Sequence, residues 1–115
     1  MSDDLPILQK MYDLYKVFYQ YSVHLPKKDR FGLGQRCENQ ILDLIEQTIK
    51  ASKSRREDKQ AVLYDISLKL DTLKIFVRLM KEVSAIDLKK YTLLQGHINE
   101  IGKMLGGWIK STKER

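Results

Sequence analysis

The chain has 115 residues, 21 of them Lys or Arg against 15 Asp or Glu, for a net charge of +6. That length holds one domain, residues 1–115. Its 43% hydrophobic content suffices for a core and excludes the depleted composition of a disordered chain. Cys37 is the single cysteine, so an intrachain disulfide and a cysteine metal cluster are excluded, and the cytoplasm is the expected setting. The opening MSDDLPILQK has no uninterrupted apolar core, and no run approaches the roughly 20 apolar residues that cross a bilayer. A soluble, unexported protein with no membrane partner is expected.

Two prolines and six glycines leave long uninterrupted windows that fit four helices. The first is predicted from about Pro6 to Tyr21, with Leu8, Met11, Tyr12, Tyr15, Phe18 and Tyr19 recurring at three- and four-residue steps. Pro26 ends it, because proline cannot continue a helix and biases Leu25 toward extended backbone. A second helix is predicted from Asp29, a good N-cap, to the polar run Ser52–Arg56, with Ile41, Leu44, Ile45, Thr48 and Ile49 on one stripe. The third begins near Glu57-Asp58 and carries Ile66, Leu70, Leu73, Phe76, Val77 and Met80 up to about Glu82. Asp87 caps the fourth, whose stripe is Tyr91, Leu94, Ile98, Ile101, Leu105, Trp108 and Ile109. Alternating strand patterns are absent. Helices two to four are each about 24 residues, or roughly 36 Å, and short connections make neighbours antiparallel. The expected fold is all-α, an up-down-up-down antiparallel four-helix bundle.

The positive charge is uneven. Residues 25–36 hold Lys27, Lys28, Arg30 and Arg36 against Asp29, and residues 50–60 hold Lys50, Lys53, Arg55, Arg56 and Lys59 against Glu57 and Asp58. Between them, residues 37–49 carry only Glu38, Asp43 and Glu46. In an antiparallel bundle the first cluster joins Lys89 and Lys90 at one end, and the second joins Lys110, Lys113 and Arg115 at the other. Such clusters attract phosphates and release counterions, giving salt-sensitive binding with little sequence preference. A solvated surface on an ordinary basic protein fits the same count.

Catalytic constellations are missing. His97 and Glu100 stand one turn apart, but the order reverses the Glu-x-x-His pair of bundle di-metal sites and no partner motif exists. No metal and no cofactor is expected. His24 reads as a turn histidine and Cys37 as a small buried hydrophobe. Gly32-Leu33-Gly34 follows a turn instead of a strand and lacks the third glycine of a nucleotide fingerprint. An enzyme is not expected.

Gly106-Gly107 inside a helix costs about 1 kcal/mol per glycine relative to alanine, which calls for close backbone approach by another helix or a second subunit, with Trp108 beside the gap. Six Tyr and three Phe exceed what a slim bundle readily encloses, so a homo-oligomer is expected.

Four runs carry a resemblance: Arg30–Glu38 (RFGLGQRCE), Leu42–Glu46 (LDLIE), Lys74–Leu79 (KIFVRL) and Glu100–Ile109 (EIGKMLGGWI). Together they resemble the accessory variability determinant (Avd) family of diversity-generating retroelements. The second-helix part is shared with the wider four-helix group encoded in ribosomal RNA intervening sequences. The resemblance implies a barrel-shaped homopentamer that binds RNA and DNA, associates with the element's reverse transcriptase, supports mutagenic cDNA synthesis and retrohoming, and has no catalytic activity. By matched position, Arg30, Arg36, Arg78 and Lys103 become candidate contacts to nucleic acid or polymerase. Lys27, Lys28, Lys53, Arg55 and Arg56 join them as clusters. Gly106, Gly107 and Trp108 would serve packing between helices or subunits. For Arg78 an ion pair with a nearby carboxylate is an equal alternative. A protein-interaction module of the intervening-sequence type, its charge serving solubility, is the competing function.

Overall fold

The computed structural model describes residues 5–113. Helix α1 spans Pro6–Ser22, α2 Lys27–Arg30, α3 Leu33–Lys53, α4 Arg56–Glu82 and α5 Leu88–Lys113. No strand forms among the described residues. Helices α1 and α4 each pack on both α3 and α5, so they stand at opposite corners of an antiparallel bundle measuring 46 × 23 × 20 Å. The four long helices realise the expected bundle, with a short fifth inserted before α3.

The core follows from helical spacing. Met11, Leu14 and Phe18 of α1 meet Cys37, Ile41 and Leu44 of α3, Ile66, Leu73, Val77 and Met80 of α4, and Leu94, Ile98 and Ile101 of α5, all buried. Each such side chain contributes about 1.5–3 kcal/mol of burial, which dominates the fold's stability. Thr48 is a buried polar residue in this core, and its hydroxyl donates to Met11 Sδ at 3.1 Å. Of the stripe expected on α1, Leu8, Met11 and Phe18 face inward and the tyrosines do not. Tyr12 and Tyr19 are exposed and Tyr15 is half-buried, while Ile7 and Leu14 take the inner positions. Tyr15 Oη instead donates to Glu38 Oε2 of α3 at 2.9 Å, which keeps the phenol at the bundle's edge and raises its pKa.

The second helix does not start at Asp29. Asp29 lies inside α2, the helix is interrupted at Phe31–Gly32, and Gly32 is the N-cap of α3. The cause is close packing of α2 on α3: a β-carbon at Gly34 would sit 2.7 Å from the Asp29 carbonyl oxygen and 2.7 Å from Leu25 Cδ1. The approach expected of Gly106 and Gly107 therefore occurs at Gly34. Around Gly106 and Gly107 a β-carbon would meet nothing within 4 Å among the described residues, so neither is a point of close contact within the bundle.

The α4–α5 turn is closed by a reversal at Ser84, whose φ is +65°. Ser84 N–H donates to Lys81 O at 3.0 Å and Ala85 N–H to Met80 O at 2.8 Å, a paired closure that usually employs glycine at this position. Ser84→Gly is therefore expected to stabilise the protein by about 1 kcal/mol, read as a higher denaturation midpoint at unchanged m-value. Beyond the turn, Asp87 Oδ1 accepts from Lys90 N–H at 2.9 Å, the cap expected for the last helix.

Candidate nucleic-acid interface

Arg78 and Lys103 are 25 positions apart in sequence, yet both line the outer groove between α4 and α5. Lys74, four residues before Arg78 on α4, lies between them and joins the two halves of the groove, which enclose about 510 and 490 Å³. An i, i+4 step places Lys74 and Arg78 on one helix face. Asp71 also lines the groove, with Gln95 and Asn99 on the α5 wall. Gln95 Nε2 donates to Lys74 O at 3.2 Å, tying the two walls together. No carboxylate comes within 4.0 Å of Arg78 or Lys103 among the described residues, so the ion-pair alternative for Arg78 is not realised there. Salt bridges form elsewhere, from Lys10 to Glu100 at 3.1 Å and from Lys69 to Asp43 at 3.8 Å.

Lys74 was not among the sequence-derived candidates. The signal was its four-residue step from Arg78 beside the apolar stripe of α4, but a step alone cannot say which neighbouring helix supplies the opposite wall.

The first basic cluster gathers at one end of the bundle. Lys27, Lys28 and Arg30 lie on α2 and Arg36 on the first turn of α3. Lys90 lies over the Tyr21 ring at 5.3 Å, which brings the start of α5 to the end of α1, as antiparallel packing requires. Two of these cations also hold the fold. Arg30 Nη2 donates to Val23 O at 2.7 Å, and the Arg36 guanidinium lies 5.3 Å from the Phe76 ring centre. Lys27 and Lys28 are exposed and free to meet an anion.

The second cluster occupies the opposite end. Lys53 closes α3, Arg55 is the N-cap of α4, and both are exposed with no carboxylate partner among the described residues. Arg56 and Lys59 share a recess with Trp108, and Lys113 lies 5.6 Å from the Tyr64 ring centre. Glu114 and Arg115, counted in the sequence's charge balance, lie outside the described residues.

The remaining candidates resolve separately. His97 lies half-buried in an apolar groove with Tyr21, Leu88 and Leu93, while Glu100 is engaged by Lys10. No cluster of three His, Cys, Asp or Glu able to hold a metal forms among the described residues, and no helix there is long and apolar enough to cross a membrane. Cys37 is fully buried, and burial pushes its thiol up to about 12. A thiol raised in the folded state contributes stability that is intact below its unfolded value and lost as pH climbs toward about 12. Melting temperature should fall as pH rises above about 9, with a shallower fall in Cys37→Ala. In the native protein the thiol should resist alkylation at about pH 8 and react on unfolding.

The geometry is thus a helical scaffold whose two ends and α4/α5 groove present cations that carboxylates leave open. A family profile described as bAvd-like matches residues 5–112. The chain belongs to the bAvd-like family. The match runs from Leu5 to Thr112, so it takes in all four long helices, both basic ends and the groove of this bAvd-like protein. No curated protein matches the chain.

Proposed function

We propose that this protein is a non-catalytic, nucleic-acid-binding accessory subunit of a diversity-generating retroelement. It associates with the element's reverse transcriptase in the cytoplasm and supports copying of template RNA into mutagenised cDNA for retrohoming. The observation that carries the reading is the bAvd-like match over residues 5–112. The physical support is electrostatic, because open cations at three places suit a polyanion that lies along the surface.

The working form is a barrel-shaped homo-oligomer, a pentamer in the accessory variability determinant reading. Its support is the outward face of α4, where Tyr64, Leu68, Ile75 and Leu79 recur at helical steps and stay exposed although they are large and apolar. A helix that is apolar on its core side and again on its outer side is suited to a second contact. Gly106 and Gly107, with open space around them, offer a further place for a neighbouring subunit to approach.

The test has two arms. Labelled RNA and DNA should bind at about 50 mM salt, with affinity falling steeply as salt is raised. Co-expression with the reverse transcriptase of a diversity-generating retroelement should yield a complex, and light scattering should give several times the 13.5 kDa chain mass. No binding of any nucleic acid in dilute buffer would instead favour the intervening-sequence type of protein-interaction module.

A further inference from the structure

Phe31 is 66% exposed, more than any other aromatic side chain among the described residues. Most of the other rings are engaged: Tyr15 and Tyr19 pair with each other, and cations lie over Tyr21, Tyr64, Phe76 and Tyr91. Tyr12 is exposed too, but its hydroxyl can bond to water, whereas a phenylalanine ring has no polar tip to offer.

A rigid corner displays this ring. Gly32, directly after it, turns the chain from α2 into α3, and a β-carbon there would stand 2.9 Å from Lys28 O, so the turn that leaves Phe31 at the tip is tight. Helix α2 is fastened on both sides, by Arg30 Nη2 donating to Val23 O at 2.7 Å and by the close seat of Asp29 O over Gly34. Phe31 N–H donates to Lys27 O at 3.2 Å, so Phe31 continues the helical step of α2. Lys27 and Lys28, four and three residues earlier, therefore share its face, with β-carbons about 5–6 Å away. Both lysines are exposed and neither has a carboxylate within 4.0 Å among the described residues. Asp29, two residues from Phe31, falls on another side and is half-buried.

An apolar ring flanked by lysines suits one class of ligand. A protein that seats a phenylalanine surrounds it with apolar side chains, and the centres of such interfaces are depleted of lysine because its charge would lose water without compensation. A nucleic-acid strand instead presents a flat base next to a phosphate, one for the ring and one for the ammonium groups. We infer that Phe31 stacks on an unpaired base of a single strand while Lys27 and Lys28 hold the adjoining phosphates. The inference rests on the nucleic-acid-binding reading above and adds a strand preference at the α2 end. In a duplex the base faces are hidden inside the stack, so the ring has nothing to stack on along its length.

The intact protein is titrated at about 50 mM salt with a labelled single strand of about ten nucleotides and with a blunt duplex of about thirty base pairs, following anisotropy. Phe31→Leu, which keeps an apolar side chain but has no π face, should weaken single-strand binding about tenfold and leave duplex binding unchanged. Phe31→Tyr, which keeps the ring, should retain wild-type affinity for both. Replacing Lys27 and Lys28 together by Gln should weaken both and flatten the salt dependence. Because the ring lies outside the core, both Phe31 variants should melt at the wild-type temperature. Wild-type single-strand affinity in Phe31→Leu, or an equal loss on the duplex, overturns the stacking site and leaves the general reading standing. Flat anisotropy with every nucleic acid overturns both. A lower solution mass for Phe31→Leu would make the ring a subunit contact and also overturn the inference.

Discussion

Gly34→Ala lowers the thermal unfolding midpoint by about 6–10 °C, the equivalent of about 2 kcal/mol in a domain of this size. The added methyl gains helix propensity, worth about 1 kcal/mol. It must also enter a space where the Asp29 carbonyl oxygen and Leu25 Cδ1 both stand 2.7 Å away. The leucine can rotate, but the carbonyl belongs to α2, so the whole short helix has to lift off α3. Because α2 carries Lys27, Lys28 and Arg30, the same substitution should weaken nucleic-acid binding at that end. Calorimetry and a salt titration on one sample read both effects. Gly106→Ala and Gly107→Ala should act in the opposite direction within the chain, raising stability by up to about 1 kcal/mol each, because nothing stands within 4 Å of the new methyl. If they also lower the mass in solution, these glycines are where subunits meet. An unchanged melting temperature for Gly34→Ala would mean that α2 is not seated on α3 as described.

Reversing Lys74, Arg78 and Lys103 to Glu is expected to weaken RNA binding a few hundredfold at about 0.1 M salt. On a single strand each phosphate contact releases about 0.7 of a counterion, so losing three lowers the slope of log affinity against log salt by about 2. Folding should survive, since none of the three has a carboxylate partner among the described residues and none belongs to the core. Circular dichroism and melting check that point. Wild-type affinity with an unaltered salt slope would show that the α4/α5 groove carries no phosphate. The corresponding reversal of Lys53, Arg55 and Arg56 measures the share of the far end, and the smaller of the two losses marks the lesser surface.

Helix existence and the core stripes of α3, α4 and α5 were legible in the sequence, because burial of one face imposes a 3.6-residue period that survives in the order of residues. Ile41, Leu44, Ile66, Leu73, Leu94 and Ile98 are both on the predicted stripes and in the core. On α1 the same reasoning placed Leu8, Met11 and Phe18 correctly and the tyrosines wrongly. Tyr12 and Tyr19 are spaced like core residues, but a phenol needs a partner for its hydroxyl, and the edge supplies water or a carboxylate more readily than the centre does. The candidate site divides along the same line. The end clusters are local runs of charge and needed only antiparallel connectivity to be placed, whereas Lys74, Arg78 and Lys103 come from two helices and share a groove only after those helices pack.

From the order of residues alone came an all-helical domain with basic ends, one buried thiol and a family, since period, charge runs and short motifs are properties of neighbouring positions along a chain. Tertiary packing decided which glycine admits a close neighbour, which cations a carboxylate leaves open and which aromatic ring borders a recess. Each of those depends on what another helix places within about 4 Å, and that distance is set by the register of one helix against the next.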